Sequence, residues 1–506
     1  MSSGDPDAER RSTRLGGWLL AVILVAVVVP VLAGDQRRFP YYSQELSWEL
    51  CDTPSVDTPG VECADVTVPL DYSDPDGRTL TVVISRVPAT DPDRRRGILL
   101  SNPGGPGAAG LDAPALLGDV LSPDVLAQYD LIGMDPRGVG ASDPTEPCGW
   151  PVSEAVRSAG PTAAGFDEEV VFASELAAAC LDGDIEKLRQ ITTRNTARDM
   201  DLIRAVLGEE KINFFGLSYG TYLGAVFTEM FPERSDRIVL DSAIDPDRYW
   251  TGLVQDWGPA DEIAFDDWAR WAAARNSTYR LGATVPEVRA TVDALYQRTA
   301  REPIMVDGYP IDGHIFPFIL HNVLRSYQVN DTMAATVRDI ADAAAGDSSS
   351  SAESGLGELL ELLYTGENSE LMIIACGDSE APHDPQWYRR NIENTRTSQP
   401  LFGAMANNIQ PCAFWPRPVE PATVVRNAVP VLIVQATGDA RTPYSEAVQL
   451  HRHLSESRLV TLQDVRIHLT FRPGLSTCVN EAINGYLGTG RLPATDITCT
   501  TDQPIQ

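Results

Sequence analysis

The chain has 506 residues, 43% of them hydrophobic and 22% charged. This is an ordinary globular composition that excludes a disordered or collagen-like chain and supplies a large core. Lys+Arg 40 against Asp+Glu 71 leaves a net charge of −31, and a surface that negative repels phosphate backbones and argues against nucleic acid as a partner.

Arg10, Arg11 and Arg14 precede an uncharged run at 15–33, 19 residues long. A basic flank, an apolar core and a small-residue exit at Val31-Leu32-Ala33 describe an export signal. The run also nearly reaches the roughly 20 residues that span a bilayer. Residues 1–36 are therefore expected to be a signal peptide or an N-terminal membrane anchor, with the bulk of the chain outside the cell or in its envelope. No cysteine stands at the exit for lipidation. Eight cysteines in an exported chain favour disulfides. Pairing sequence neighbours gives Cys51–Cys63, Cys148–Cys180, Cys376–Cys412 and Cys478–Cys499. No CxxC or His/Cys cluster exists, so no metal and no cofactor are expected.

In chain order, Val66–Leu70 and Leu80–Ile84 read as strands around a turn at Asp74–Gly77. Gly97–Leu100 is a short apolar run ending in Asn102-Pro103-Gly104-Gly105-Pro106-Gly107, and Tyr129–Met134 another, ending at Asp135-Pro136-Arg137-Gly138. A helix over Thr196–Leu207 places Met200, Ile203 and Leu207 on one face. A strand at Lys211–Phe215, a tight turn, a helix through Met230 and a strand at Arg237–Leu240 follow. Strands alternating with helices predict a mostly parallel sheet covered on both faces. The alternation stops near Asp247. Tryptophan-rich helices (Trp257, Trp268, Trp271) and an Ala/Ser/Gly-rich segment fill the chain to about Glu420, with Ala343–Gly355 expected as a mobile loop. It resumes with a strand at Val431–Val434, a helix at Ser445–Leu454, a strand at Leu459–Leu462 and a helix near Thr477–Tyr486. The expected organisation is an α/β core over 37–246 and 421–506, interrupted by a helical cap at 247–420.

Gly216-Leu217-Ser218-Tyr219-Gly220 fits G-x-S-x-G between a strand and a helix, the setting in which a serine is pushed out on a sharp turn as a nucleophile. The base must be a histidine, and after a strand-end acid at Asp439 only His451, His453 and His468 remain. The first two fall in a predicted helix. His468 follows the next strand in a loop able to meet both Ser218 and Asp439. Ser218, Asp439 and His468 thus form the expected triad, with His468 taking the serine proton and Asp439 fixing its tautomer. The glycine loop at 102–107 is the expected oxyanion site, with the amide of Tyr219 as one donor and Gly104 or Gly105 as the other. A phosphate-loop reading fails, because no Lys-Ser/Thr follows the glycines.

These residues, with Phe231-Pro232-Glu233-Arg234, Cys376-Gly377-Asp378, Cys412…Trp415-Pro416 and Gly438-Asp439…Thr442-Pro443, resemble over about 45–500 the α/β-hydrolase peptidases related to proline iminopeptidase, most closely the actinobacterial secreted tripeptidyl-aminopeptidase-like hydrolases. The resemblance implies the α/β-hydrolase fold with an inserted helical cap, and a serine hydrolase that releases N-terminal amino acids or short peptides. It departs at Arg466-Ile467-His468-Leu469-Thr470, where relatives carry glycines around the histidine. The expected activity is that of a serine exopeptidase, the alternative a carboxylesterase on small esters. A binding protein on the same scaffold is disfavoured by the intact triad. The partner is a peptide or small ester, with a membrane contact only through 15–33. Asp378 and Glu380, beside Cys376, are candidate anions for a substrate's α-ammonium.

Overall fold

Apolar/polar alternation sets the first strands. β2 (Glu62–Pro69) buries Ala64, Val66 and Val68 and exposes Asp65 and Thr67, the two-residue period of a sheet wet on one face. It pairs antiparallel with β1 (Glu49–Leu50) and with β3 (Thr79–Val87). Further in, the alternation vanishes: β4 (Gly97–Asn102) and β10 (Val431–Ala436) are buried at every residue, as strands covered on both faces must be. With β5 (Tyr129–Met134), β6 (Ile212–Leu217), β7 (Ser235–Asp241), β11 (Arg458–Leu462) and β12 (Ile497–Cys499) they form a ten-stranded sheet, ordered β1-β2-β3-β5-β4-β6-β7-β10-β11-β12. Every pairing from β5 to β12 along that order is parallel, which puts the C-terminal ends of β4, β6, β7 and β10 on one edge.

A computed structural model describes residues 40–504 apart from 54–55, 57, 147, 153–155 and 348–354. The signal or anchor expected at 1–36 lies outside the described residues, among which no helix is long and apolar enough to cross a membrane.

Successive strand residues point to opposite faces, so Phe214 joins Leu223, Phe227 and Ile238 in one core while Phe215 joins Val239, Val434 and Ile483 in the other. The first core is covered by α2 (Thr193–Val206) and α3 (Tyr219–Met230), the second by α12 (Thr477–Thr489). Between β7 and β10 run α4 (Thr251–Ala273), α5 (Val285–Thr299), α6 (Phe316–Val323), α7 (Asn330–Ala345), α8 (Leu356–Thr365), α9 (Ser369–Asp378) and α10 (Pro385–Thr395). The region is not wholly helical: β8 (Ile304–Val306) and β9 (Tyr309–Ile311) form an antiparallel hairpin. Of the segment expected as a mobile loop, Ala343–Ala345 instead continue α7 to a left-handed cap at Gly346, and positions 348–354 lie outside the described residues. An earlier helix, α1 (Gly165–Leu181), packs on the inserted segment, with Phe166 and Ala173 clustered against Tyr388, Ile392 and Ile409.

The four disulfides are Cys51–Cys63, Cys148–Cys180, Cys376–Cys412 and Cys478–Cys499, the pairing of sequence neighbours. A chain so crosslinked belongs in an oxidising compartment.

Candidate active site

β6 ends in the G-x-S-x-G turn, and α3 begins at the next residue. Ser218 sits at φ 54°, ψ −120°, a left-handed conformation that a non-glycine residue adopts only when its surroundings enforce it. Gly216 makes the turn sterically feasible, since a Cβ there would lie 2.3 Å from the Gly220 carbonyl oxygen. The glycine loop after β4 packs directly on this elbow: a Cβ on Gly104 would lie 2.9 Å from Leu217 O and 3.0 Å from Ser218 Cβ.

The Gly104 N–H, however, already donates to Asn102 Oδ1 at 3.0 Å. Of the two glycines read as oxyanion donors, this leaves the exposed Gly105, at φ +104°. The Asp135 motif works on the same loop from behind: its carboxylate accepts the N–H groups of Gly110, Leu111 and Ala141. Arg137, fully buried, is neutralised by Asp199 through two hydrogen bonds of 2.6 and 2.7 Å.

Asp439 lies in the turn after β10 and is fully engaged. Its Oδ2 accepts His468 Nδ1–H at 2.8 Å, Thr442 Oγ1 at 2.9 Å and Gln435 Nε2 at 3.2 Å. Its Oδ1 accepts the N–H of Arg441 at 2.8 Å and of Thr442 at 3.1 Å. Burial works to raise this carboxyl, but His468 and the backbone donors outweigh it and hold Asp439 below the ordinary carboxylate range. The Asp439 contact assigns the proton to Nδ1 of His468 and leaves Nε2 unprotonated.

The segment carrying His468 is fastened to the end of β7. Leu469 N–H donates to Ser242 Oγ at 2.9 Å, while the Asp241 carboxylate accepts Thr470 N–H, Thr470 Oγ1–H and Phe471 N–H. The Asp241 carbonyl in turn accepts the Ser218 N–H at 3.0 Å. Asp241 and Ser242 therefore join the serine turn to the histidine loop. Neither was singled out in the sequence; the available signal was an acid at the C-terminal end of a strand. His451 and His453 stay outside this group, the first against Ser457 and the second against Asp245 and Asp247. Asp245, Asp247 and His453 could present ligand atoms within 4.8 Å of one another to a metal, although Arg426 already pairs with Asp247 at 2.6 Å.

The two acids read as amine-binding have other partners. Asp378 is buried, with its carboxyl oxygens taken by Thr193 N–H and Thr193 Oγ1–H at 2.6 Å each. Glu380 lies at the surface against Arg417 at 3.1 Å and His383 at 3.7 Å. A third acid, Glu370, begins α9 where it packs on the glycine loop: a Cβ on Gly107 would lie 2.9 Å from Glu370 Cβ. Glu370 is half-buried, burial pushes its carboxyl up, and it forms no ion pair among the described residues.

A family described as "alpha/beta hydrolase fold" matches residues 97–312, and one described as "TAP-like protein" matches 399–499. The chain is 34% identical to a tripeptidyl aminopeptidase of Streptomyces lividans, over 90% of this chain and 86% of that one. It is 29% identical to serine protease Hip1 of Mycobacterium tuberculosis (95% and 96% covered) and 31% identical to carboxylesterase B of the same species (92% of each). The chain belongs to the tripeptidyl-aminopeptidase-like family of α/β hydrolases.

Proposed function

We propose that this protein is an exported serine exopeptidase that releases N-terminal amino acids or short peptides through an acyl-enzyme on Ser218. In this reading Ser218 Oγ attacks the scissile carbonyl and passes its proton to His468 Nε2. Asp439 holds the other ring nitrogen and stabilises the imidazolium. The oxyanion is met by the N–H groups of Tyr219 and Gly105. His468 returns the proton to the leaving amine, and water, activated the same way, releases the acyl group. Residues 247–420 act as the cap bounding the substrate site.

The observation carrying the reading is the Asp439–His468 pair at 2.8 Å, held through Asp241 to the turn that presents Ser218. The named activities of the tripeptidyl aminopeptidase and Hip1 relatives support a peptide substrate. The carboxylesterase relative keeps a second reading in play, the same triad acting on small esters. A panel of aminoacyl-, dipeptidyl- and tripeptidyl-anilides beside short-chain nitrophenyl esters separates them. The exopeptidase reading expects free-amine anilides to lead, and a uniform preference for esters overturns it.

A further inference from the structure

A second buried histidine stands behind the catalytic acid. His321, on α6, places Nδ1 2.7 Å from Asp261 Oδ2 on α4, and both side chains are wholly buried. The other ring nitrogen, Nε2, faces Nη1 of Arg441, two residues beyond Asp439. A guanidinium can only donate, so Nε2 carries the lone pair and Nδ1 the proton. Burial, with the positive charge of Arg441 nearby, keeps the ring neutral. The result is a guanidinium and a carboxyl group, the latter pushed well above the ordinary carboxylate range by burial, bridged by a neutral imidazole.

Arg441 is gripped on every side. Its backbone N–H donates to Asp439 Oδ1 at 2.8 Å, its carbonyl accepts Trp257 Nε1–H at 2.7 Å, and its Nη2 reaches Asn322 Oδ1 at 3.2 Å. Trp257 also packs on the His321 ring, centroids 4.7 Å apart. The other Asp261 oxygen is buried and has no hydrogen-bond partner among the described residues, so the contact with His321 is the one that satisfies this carboxyl group.

We propose that His321 is a positioning residue for the Asp439–His468 pair: the chain Asp261–His321–Arg441 registers the inserted helices against the 439–442 turn and so fixes the carboxylate that orients His468. This rests on the triad reading above. Removing the imidazole takes from the half-buried Arg441 guanidinium its acceptor and from the buried Asp261 carboxyl its donor. Arg441 must then move toward Asp261 or water, and its N–H leaves Asp439 Oδ1. A less firmly held carboxylate stabilises the His468 imidazolium less. The charged and titratable groups around His468 are Asp439, Asp241, His321, Arg472, whose Nη2 donates to the His468 carbonyl at 3.1 Å, and, through His321, Arg441.

The test compares His321→Phe, which fills the ring volume but bridges nothing, with His321→Gln, whose amide can donate to Asp261 and accept from Arg441. Steady-state kinetics on the best anilide, the pH profile of kcat/KM and the downfield proton resonance of His468 Nδ1–H are measured in full-length protein. His321→Phe is expected to lower kcat roughly 10- to 100-fold with little change in KM, to move the acid limb to lower pH and to displace the downfield signal. His321→Gln is expected to restore all three. A folded His321→Phe protein with wild-type kcat and acid limb overturns the proposal, as does a loss that glutamine fails to recover. Should His321→Phe not fold, Asp261→Leu, which removes the acceptor of Nδ1–H at similar volume, is measured instead and judged by the same kcat and acid limb. Failure of the triad reading shows separately, as wild-type protein that a fluorophosphonate does not label at Ser218.

Discussion

Asp241 and Ser218 are joined by a 3.0 Å hydrogen bond from the serine N–H to the Asp241 carbonyl, while the carboxylate of the same aspartate holds Thr470 and Phe471 two and three residues beyond His468. One residue at the end of β7 thus ties the serine turn to the histidine loop. Burial pushes its carboxyl up, against the pull of the Thr470 and Phe471 donors and of His468. Asp241→Asn replaces one accepting oxygen with an NH₂ facing N–H groups. We expect a loss of about 2–4 kcal/mol of stability and roughly 10²-fold in kcat. Denaturant unfolding and anilide kinetics check both; a variant with wild-type kcat shows that the histidine loop is held by other contacts.

Ser218→Ala is expected to abolish hydrolysis, a loss on the order of 10⁴- to 10⁶-fold in kcat, and to abolish labelling by an organophosphonate while leaving the circular dichroism unchanged. Mass mapping of the label decides it, and labelling at a different serine removes Ser218 from the mechanism.

The parallel sheet, the serine turn, the Asp439–His468 pairing and the disulfides could all be read from the chain because each is a local signal: alternating runs, glycines two residues either side of Ser218, strand-end acids, cysteines in sequence order. What escaped depends on contacts between distant segments. Gly104 looked equivalent to Gly105 until its N–H was found on Asn102. Asp378 looked like an available anion because nothing in the chain announces that Thr193, on α2, meets it. The bulky neighbours of His468 are a further case. Leu469 stands at φ 69°, the left-handed region that glycine occupies without strain, so this chain accepts roughly 1–2 kcal/mol of backbone strain there. The sequence shows the leucine but not the conformation that makes it costly.

Cys376 and Cys412 close a 36-residue separation, and Cys376 lies on α9, whose first turn supports Gly107 of the glycine loop. Replacing both cysteines with alanine should cost about 3–4 kcal/mol on the chain-entropy account and lower kcat as the loop loosens. Thermal unfolding of the double variant and non-reducing peptide mapping of the wild type are the measurements; a free thiol at either position refutes the crosslink.

Burial pushes Asp378 up to about 7, against the lowering effect of its Thr193 hydrogen bonds. The folded chain therefore keeps a proton that the unfolded chain, with an ordinary carboxyl near 4, has released. Between those values folding takes up a proton, so this group's contribution to stability is fully present below about pH 4 and is lost as pH rises to about 7. Asp378→Asn removes that dependence. Its melting temperature should gain on wild type between pH 5 and pH 8, while activity on free-amine peptides is retained because the carboxyl is occupied by Thr193. A melting-temperature difference that does not change with pH contradicts the titration, and a selective loss of free-amine substrates returns Asp378 to the role of amine anchor.

The last expectation concerns the substrate amine. An exopeptidase must prefer a charged N-terminus, and Glu370, half-buried beside the glycine loop and without an ion pair among the described residues, is the anion best placed to meet it. A partly desolvated ammonium–carboxylate contact contributes on the order of 3 kcal/mol, so acetylating the substrate's N-terminus should lower kcat/KM by about 10²-fold. Glu370→Gln should abolish most of that discrimination by slowing the free-amine peptide while leaving the acetylated one nearly unchanged, because only the former loses a charge partner. Kinetics of the matched pair on both proteins give the double-mutant coupling directly. If wild type discriminates but the Glu370→Gln variant discriminates equally, the amine is held elsewhere in the cap. If wild type treats both peptides alike and favours simple esters, the same triad serves an esterase.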